Sequence, residues 1–354
     1  MSDTTHRIAV IPGDGIGGEV VDEGLRVLEA AGGRYGIDFA WESFPWSCEY
    51  YRETGRMMPE DGLDQLRAFD AIFLGAVGAP GVPDHVSLWG LLLPIRRGFR
   101  QAINLRPVRL FEGVASPLAG RGPGDIDMVV VRENSEGEYS ELGGRAFSHT
   151  DREIVLQTSV FTRAGVDRVL RYAFRLAQSR PDRHLTAATK SNGIIHTMPF
   201  WDERFQALAA EYPEVRADKY HIDALTAQLV RAPDRFDVLV GSNLFGDILS
   251  DLAPALAGSL ALAPSANIDP DGNNPGMFEP VHGSAPDIAG QGIANPIGQI
   301  WSGALMLRHL GQDDAATAIE RAIADVLAQP ALHTPDLGGR ARTENVGKAV
   351  ASLV

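Results

Sequence analysis

Two aspartates in "GSNLFGDILSDLAPAL" (residues 241–256) stand four residues apart, Asp247 and Asp251. On a helix that spacing puts both carboxylates on one face. Like charges so placed repel unless something lies between them. Their neighbours Phe245, Ile248, Leu249 and Leu252 are apolar. Acids near a helix start favour the macrodipole, which accounts for Asp247 but poorly for Asp251. A hard divalent cation such as Mg²⁺ or Mn²⁺ accounts for both. From spacing alone the two readings stand level.

Other residues could move protons. The chain holds 32 Lys and Arg, yet only Lys190, Lys219 and Lys348 are lysines. Arginine cannot release its proton in a protein; lysine can when its neighbours lower its pKa. Lys190 closes a strand-like run in "LTAATKSNG" and is an acid/base candidate, whereas Lys348 reads as surface charge. Tyr139, in "VVVRENSEGEYS", could donate a proton, but a packed aromatic is the simpler reading. Arg96, Arg97, Arg100, Arg106 and Arg109 fall within fourteen residues. They form either a solvated face or a pocket for a small polyanion, since guanidinium matches carboxylate bidentately.

Two loops could meet a nucleotide. "RIAVIPGDGIGGEV" (7–20) carries Gly13, Gly15 and Gly18 at the G-x-G-x-x-G spacing, with Asp38 about where a ribose-binding acid would sit. Asp14, however, puts a carboxylate inside that loop, which disfavours a pyrophosphate. "FEPVHGSAPDIAGQGIANP" (278–296) is rich in small residues, so its amides could approach a phosphate and Asp287 could take ribose hydroxyls. The alternative is a long surface loop, although loops of this length tend to be functional.

The elements that must carry these residues alternate along the chain, which points to an α/β fold. Strands are predicted at 7–12, 37–42, 71–77, 128–131, 185–189 and 238–241. Helices are predicted at 18–31, 162–179, 199–211, 299–310 and 315–328. A net charge of −14 argues against nucleic acid as a partner. Cys48, the single cysteine, excludes an intramolecular disulfide framework and reads as a small buried residue. The N-terminus lacks a signal-peptide hydrophobic region. The most apolar stretch, 252–268, contains Pro254 and Pro264 and is too short to span a bilayer. No membrane and a cytoplasmic location are the expectations.

Seven ordered motifs together resemble the isocitrate/isopropylmalate dehydrogenase family of metal-dependent β-decarboxylating dehydrogenases. They are "PGDGIG" (12–17), "LLLPIRRGFRQAINLRP" (91–107), "VRENSEGEY" (131–139), "TKSN" (189–192), "YHIDA" (220–224), "SNLFGDILSD" (242–251) and "EPVHGSAPDIAGQGIANP" (279–296). The resemblance implies two α/β domains sharing one long sheet, not a Rossmann dinucleotide-binding fold. Residues 1–101 with 258–354 would form the first domain and 102–257 the second. It implies a homodimer in which each site borrows residues from the other chain. Arg96, Arg106 and Arg132 would bind substrate carboxylates. Tyr139, with Lys190 and Asp223 of the second chain, would be catalytic, and Asp223, Asp247 and Asp251 would hold Mg²⁺ or Mn²⁺. His282, Gly283, Ser284, Ala285, Asp287 and Asn295 would line the adenosine half of NAD, with Asp287 repelling the 2′-phosphate of NADP. K⁺ is an additional candidate cation. The glycine loop then becomes a strand-to-helix turn that does not cradle the pyrophosphate.

The substrate is read from "PDHVSLWGLLLPIRR" (83–97), "PFWDE" (199–203) and "NPIGQIWSGALML" (295–307), which look like the tartrate/D-malate branch. A bulky Trp89 would shrink the pocket to suit a four-carbon 2-hydroxy diacid, or would pack beneath the cofactor. The expected reaction is NAD-dependent oxidation with decarboxylation. 3-Isopropylmalate dehydrogenase is the nearest rival and a non-catalytic nucleotide-binding regulator a more distant one. Pro94 inside a helix would spare the geometry of Arg96 only if that helix begins near Leu92.

Overall fold

The computed structural model describes residues 5–354. Twelve strands run β1 Thr5–Gly13, β2 Asp38–Ser43, β3 Ala71–Ala76, β4 Ile103–Arg109, β5 Asp127–Glu133, β6 Gly143–Ala146, β7 Ile154–Gln157, β8 His184–Thr189, β9 Arg216–His221, β10 Val238–Gly241, β11 Pro264–Ile268 and β12 Gly276–Pro280. The α-helices are α1 Gly17–Tyr35, α2 Cys48–Thr54, α3 Gly62–Leu66, α4 Asp84–Ser87, α5 Leu93–Gly98, α6 Arg163–Ser179, α7 Thr197–Ala209, α8 Ile222–Arg231, α9 Asn243–Leu256, α10 Ile297–His309, α11 Asp313–Leu327 and α12 Thr343–Leu353.

Ten strands form one sheet in the order β2-β1-β3-β12-β11-β4-β5-β10-β8-β9. At one end β2, β1, β3 and β12 are parallel. At the other β5, β10, β8 and β9 are parallel. Antiparallel pairings of β12 with β11, β11 with β4, and β4 with β5 join the two blocks. This is the long shared sheet expected, and its order differs from that of a Rossmann sheet.

The parallel blocks explain the most legible segments. All six residues of β3 are buried, as for a strand covered on both faces. Helix α1 buries Val20, Val21, Val27, Leu28 and Ala31, and ends at Gly36, whose φ of 69° lets its N–H reach Gly32 O. Helix α6 starts on Thr162, whose hydroxyl accepts from Gly165 N, and stops before Pro181. The antiparallel centre is less legible. β4, β11 and β12 bury Asn104, Asn267 and Glu279, so they lack a clean apolar alternation. The hairpin β6–β7 stands apart as a two-stranded sheet. Ahead of α5, residues Leu88–Leu92 form a wide π-turn, and Leu93 N donates to Leu88 O. Helical backbone is continuous from Asp84 through Gly98, so the helix does not begin near Leu92; Pro94 lies inside it, directly after the π-turn, whose widened hydrogen bonding accommodates the missing N–H. Among the described residues no helix is long and apolar enough to cross a membrane.

Candidate active site

The arginines come from three elements that converge beside α9. Arg96 on α5 is buried, and its Nη2 donates to Glu279 Oε1 on β12 at 2.8 Å. Arg106 on β4 donates from Nη1 to Ser250 Oγ at 2.6 Å and lies 3.8 Å from Asp247 Oδ1 and 3.6 Å from Asp251 Oδ1. Arg132 on β5 donates from Nη2 and Nε to Asn243 Oδ1 at 2.7 and 3.1 Å, and from Nη1 to Asp247. Gly246 makes this approach possible, because a Cβ there would stand 2.6 Å from Arg132 Cβ. Tyr139 donates its hydroxyl proton to Asp247 Oδ2 at 2.8 Å, and its ring lies 5.4 Å from the Arg132 guanidinium carbon.

Burial strains these charges. It lowers the pKa of Arg106, and it takes Arg132 down to about 10 with help from its neighbour Arg106. Burial, then the bond to Asp247, raises Tyr139; burial also raises Asp251. Three guanidiniums face Glu279, Asp247 and Asp251, so the cluster is charge-balanced.

Helix α9 begins at Asn243, on the cap Ser242, and has no acid in its first turn. The macrodipole therefore explains Asp247 no better than Asp251, which corrects the first of the two readings. The start of α9 is served instead by Glu138, which accepts from Ser242 Oγ at 2.8 Å and Leu244 N at 3.0 Å. The two carboxylates do share a face, along with Asn243 and Ser250. That i, i+4, i+7, i+8 pattern was available in the sequence. Nothing local in the sequence pointed to Glu279.

The five-arginine cluster separates. Arg106 and Arg109 are an odd number of residues apart on β4 and so lie on opposite faces. Arg109 is exposed, 3.8 Å from Asp127, and Arg100 is exposed beside Asp271. Arg97 faces neither: its guanidinium lies 4.8 Å from the Trp89 ring centroid, and Nη2 donates to Tyr139 O at 2.9 Å.

Lys190 and Asp223 form a separate pair. Lys190 follows β8, Asp223 sits in the first turn of α8, and Nζ lies 2.7 Å from Oδ2. Hydrogen bonding to Lys190 lowers the pKa of Asp223. Among the described residues no three His, Cys, Asp or Glu side chains are grouped as a metal site, so Asp223 does not join Asp247 and Asp251 within one chain.

The glycine loop spends its polar groups on the protein. Gly13 and Gly15 have φ of 76° and 58°, and a Cβ on either would come within 2.0 Å of a backbone oxygen, Ala76 or Ser284. Ile16 N donates to Ser284 O, and the Asp14 carboxylate accepts from Cys48 N and Gly78 N at 3.0 Å. Asp38 pairs with Thr5, at the opposite end of β1 from the glycines and about 26 Å away at strand rise. It cannot serve a ligand on the loop. Cys48 is fully buried, which pushes its thiol up to about 11.

In the 278–296 segment burial of the imidazole lowers the pKa of His282, with Nδ1 3.0 Å from Gly283 O and Nε2 unpartnered. Ala285 sits at φ 39°, and Asp287 and Gly283 are exposed. Asn295 is already engaged: Nδ2 donates to Asp336 and Oδ1 accepts from Ile297 N at the start of α10.

Residues 7–350 match the isocitrate/isopropylmalate dehydrogenase family pattern. D-malate dehydrogenase [decarboxylating] of Escherichia coli (strain K12) is 59% identical over 99% of both chains. Tartrate dehydrogenase/decarboxylase of Pseudomonas putida is 58% identical over 99% of this chain and 98% of its own. The crystal structure of isocitrate dehydrogenase from Methylococcus capsulatus superposes with a TM-score of 0.88 at 37% identity, covering 98% of each chain. Such relatives are enzymes, and the reading as a non-catalytic regulator falls away. The chain belongs to the isocitrate/isopropylmalate dehydrogenase family of oxidoreductases.

Proposed function

We propose that the protein oxidises and decarboxylates a four-carbon 2-hydroxy diacid, D-malate or tartrate, with NAD and Mg²⁺ or Mn²⁺. The observation that carries this reading is the cluster of Arg96, Arg106 and Arg132 beside Glu279, Asp247 and Asp251. Its three positive and three negative charges cancel. A divalent cation and a dianionic substrate would add equal and opposite charge, so the filled site stays neutral around its three buried guanidiniums.

The donors suit such a cation. Asp247 and Asp251 supply hard oxygens one turn apart, and Asp223 of a second copy would complete the set. A cation held by these carboxylates would supply Lewis acidity toward the substrate hydroxyl, and NAD would supply the hydride acceptor. The protein's own side chains do the rest. Arg96, Arg106 and Arg132 hold the carboxylates. Lys190 of the second copy takes the hydroxyl proton. Tyr139 returns a proton to the carbon that CO₂ leaves. His282 to Asp287 and Asn295 are the proposed adenosine side, where the exposed Asp287 favours NAD over NADP.

Exposed apolar residues support the second copy. Leu142, Phe147, Ile154, Val155 and Leu156 lie on or beside the β6–β7 hairpin, and a lone two-stranded hairpin is marginally stable in water. Ile194 and Ile195 follow Lys190, and Leu244 and Ile248 lie on α9; all four are exposed. We place the reaction in the cytoplasm, where Cys48 stays reduced. K⁺ remains a candidate activator to be titrated in the assay below.

The test is NADH formation with Mn²⁺ from D-malate, the tartrate isomers, 3-isopropylmalate and isocitrate. Turnover of D-malate or a tartrate is expected. Turnover of 3-isopropylmalate alone would overturn the substrate, and no turnover with any of the four would overturn the reaction.

A further inference from the structure

The reading above assigns nothing to Arg97, although it makes three contacts in the cleft. Its guanidinium stacks 4.8 Å from the Trp89 ring centroid. Nη2 donates to the backbone oxygen of Tyr139 at 2.9 Å. Nη1 lies 3.0 Å from Glu141 Oε1. A flat guanidinium can stack and donate from its edge at once, which a lysine ammonium cannot.

The two things it joins are both functional candidates. Trp89 belongs to the π-turn Leu88–Leu92, and wide turns of this kind are frequent at functional sites. Tyr139 is held at its side chain by Asp247 and by stacking with Arg132. Arg97 holds the same residue by its backbone. Tyr139 is thus gripped at both ends, and one grip is shared with Trp89.

We propose that Arg97 is a positioning residue that fastens the Trp89 turn to the Tyr139 loop, so that the two form one rigid wall of the substrate pocket. The wall limits space where a branched acid carries its side group, and it keeps the Tyr139 hydroxyl in register with the reacting carbon. This inference rests on the four-carbon reading above. Small displacements of a proton donor cost rate more than affinity. Each methylene excluded from a pocket is worth about 10- to 200-fold in discrimination.

The experiment compares Arg97→Gln, Arg97→Lys, Trp89→Leu and the Arg97→Gln/Trp89→Leu double variant, each with D-malate and with 3-isopropylmalate at saturating Mn²⁺ and NAD. For Arg97→Gln, kcat on D-malate should fall about tenfold while KM changes by less than about threefold. Its preference for D-malate over 3-isopropylmalate should narrow by about tenfold or more. NADH affinity, read by fluorescence, should stay as in the unaltered protein. Arg97→Lys should fall between, since it keeps the Glu141 pair and loses the stack. Adding Arg97→Gln to Trp89→Leu should narrow the preference no further, because the two residues act as a unit. An unchanged preference in Arg97→Gln, or independent multiplication of the two effects, would overturn the proposal. Should Arg97→Gln fail to fold, Arg97→Lys carries the same comparison. The unaltered enzyme's own choice of substrate tests the four-carbon reading separately, since the shift in preference on substitution is read whichever acid it favours.

Discussion

The two halves of the candidate site are built in opposite ways. Arg96, Arg106 and Arg132 are nearly sealed from solvent, and each has a hydrogen-bond partner on another element. The side chains of Lys190 and Asp223 are 29% and 67% exposed and pair with each other. The first half hangs from the antiparallel centre of the sheet and is fixed by folding. The second sits at the ends of β8 and α8 among exposed apolar residues. Folding assembles the arginine half; on the proposed reading that half binds the anionic substrate, and association with a second copy delivers the proton-accepting half.

That contrast can be broken by substitution. Arg132→Ala empties a buried guanidinium site, leaves the buried Asn243 Oδ1 without its donor and removes one of the partners of the half-buried Asp247. It should cost about 3–5 kcal/mol of stability in a denaturant titration and abolish turnover as well. Lys190→Met should lower turnover by about 10²- to 10⁴-fold. Its denaturation midpoint should barely move, because a solvent-screened pair contributes little to stability. Equal stability losses in the two variants would erase the distinction between the halves.

A smaller effect sharpens the contrast through pH. Glu133, next to Arg132, is buried, and burial pushes its pKa to about 7 from an ordinary 4.5. Between those values the folded chain holds a proton that the unfolded chain has lost. Stability should therefore fall as pH rises through this window, by up to about 3 kcal/mol from this group. Its contribution is fully present below the unfolded pKa. In Glu133→Gln the fall between pH 5 and 7.5 should flatten. For Asp223 the sign is reversed: its depressed pKa favours the folded state at neutral pH, and that contribution is lost on acidification.

Much of this was legible in the sequence where a period or a run carried it. Asp247 and Asp251 share a helix face as their spacing requires, and Ala71–Ala76 is the buried strand its composition indicates. Two local patterns were ambiguous by themselves. G-x-G-x-x-G marks a backbone that must pass close to something, and here Gly13 and Gly15 pass close to Ala76 and Ser284. Of five arginines close in sequence, the two-residue period of β4 separates Arg106 from Arg109, while Arg96 and Arg97 on α5 take different partners, Glu279 and Tyr139 O. What the sequence hid was non-local. Glu279 meets Arg96 across 183 residues, and Lys190 meets Asp223 across two elements. The buried polar strands β11 and β12 carry no pattern that distinguishes them from loop.

A mixing experiment tests the shared site most directly. Lys190→Met and Asp251→Asn chains, each expected to be inactive on D-malate alone, are unfolded together and refolded at equal concentration. Half of the resulting pairs are mixed, and each mixed pair holds one intact site. Turnover should return to about a quarter of that of the unaltered enzyme. Turnover no greater than the sum of the two separate variants would contradict a site built from two copies.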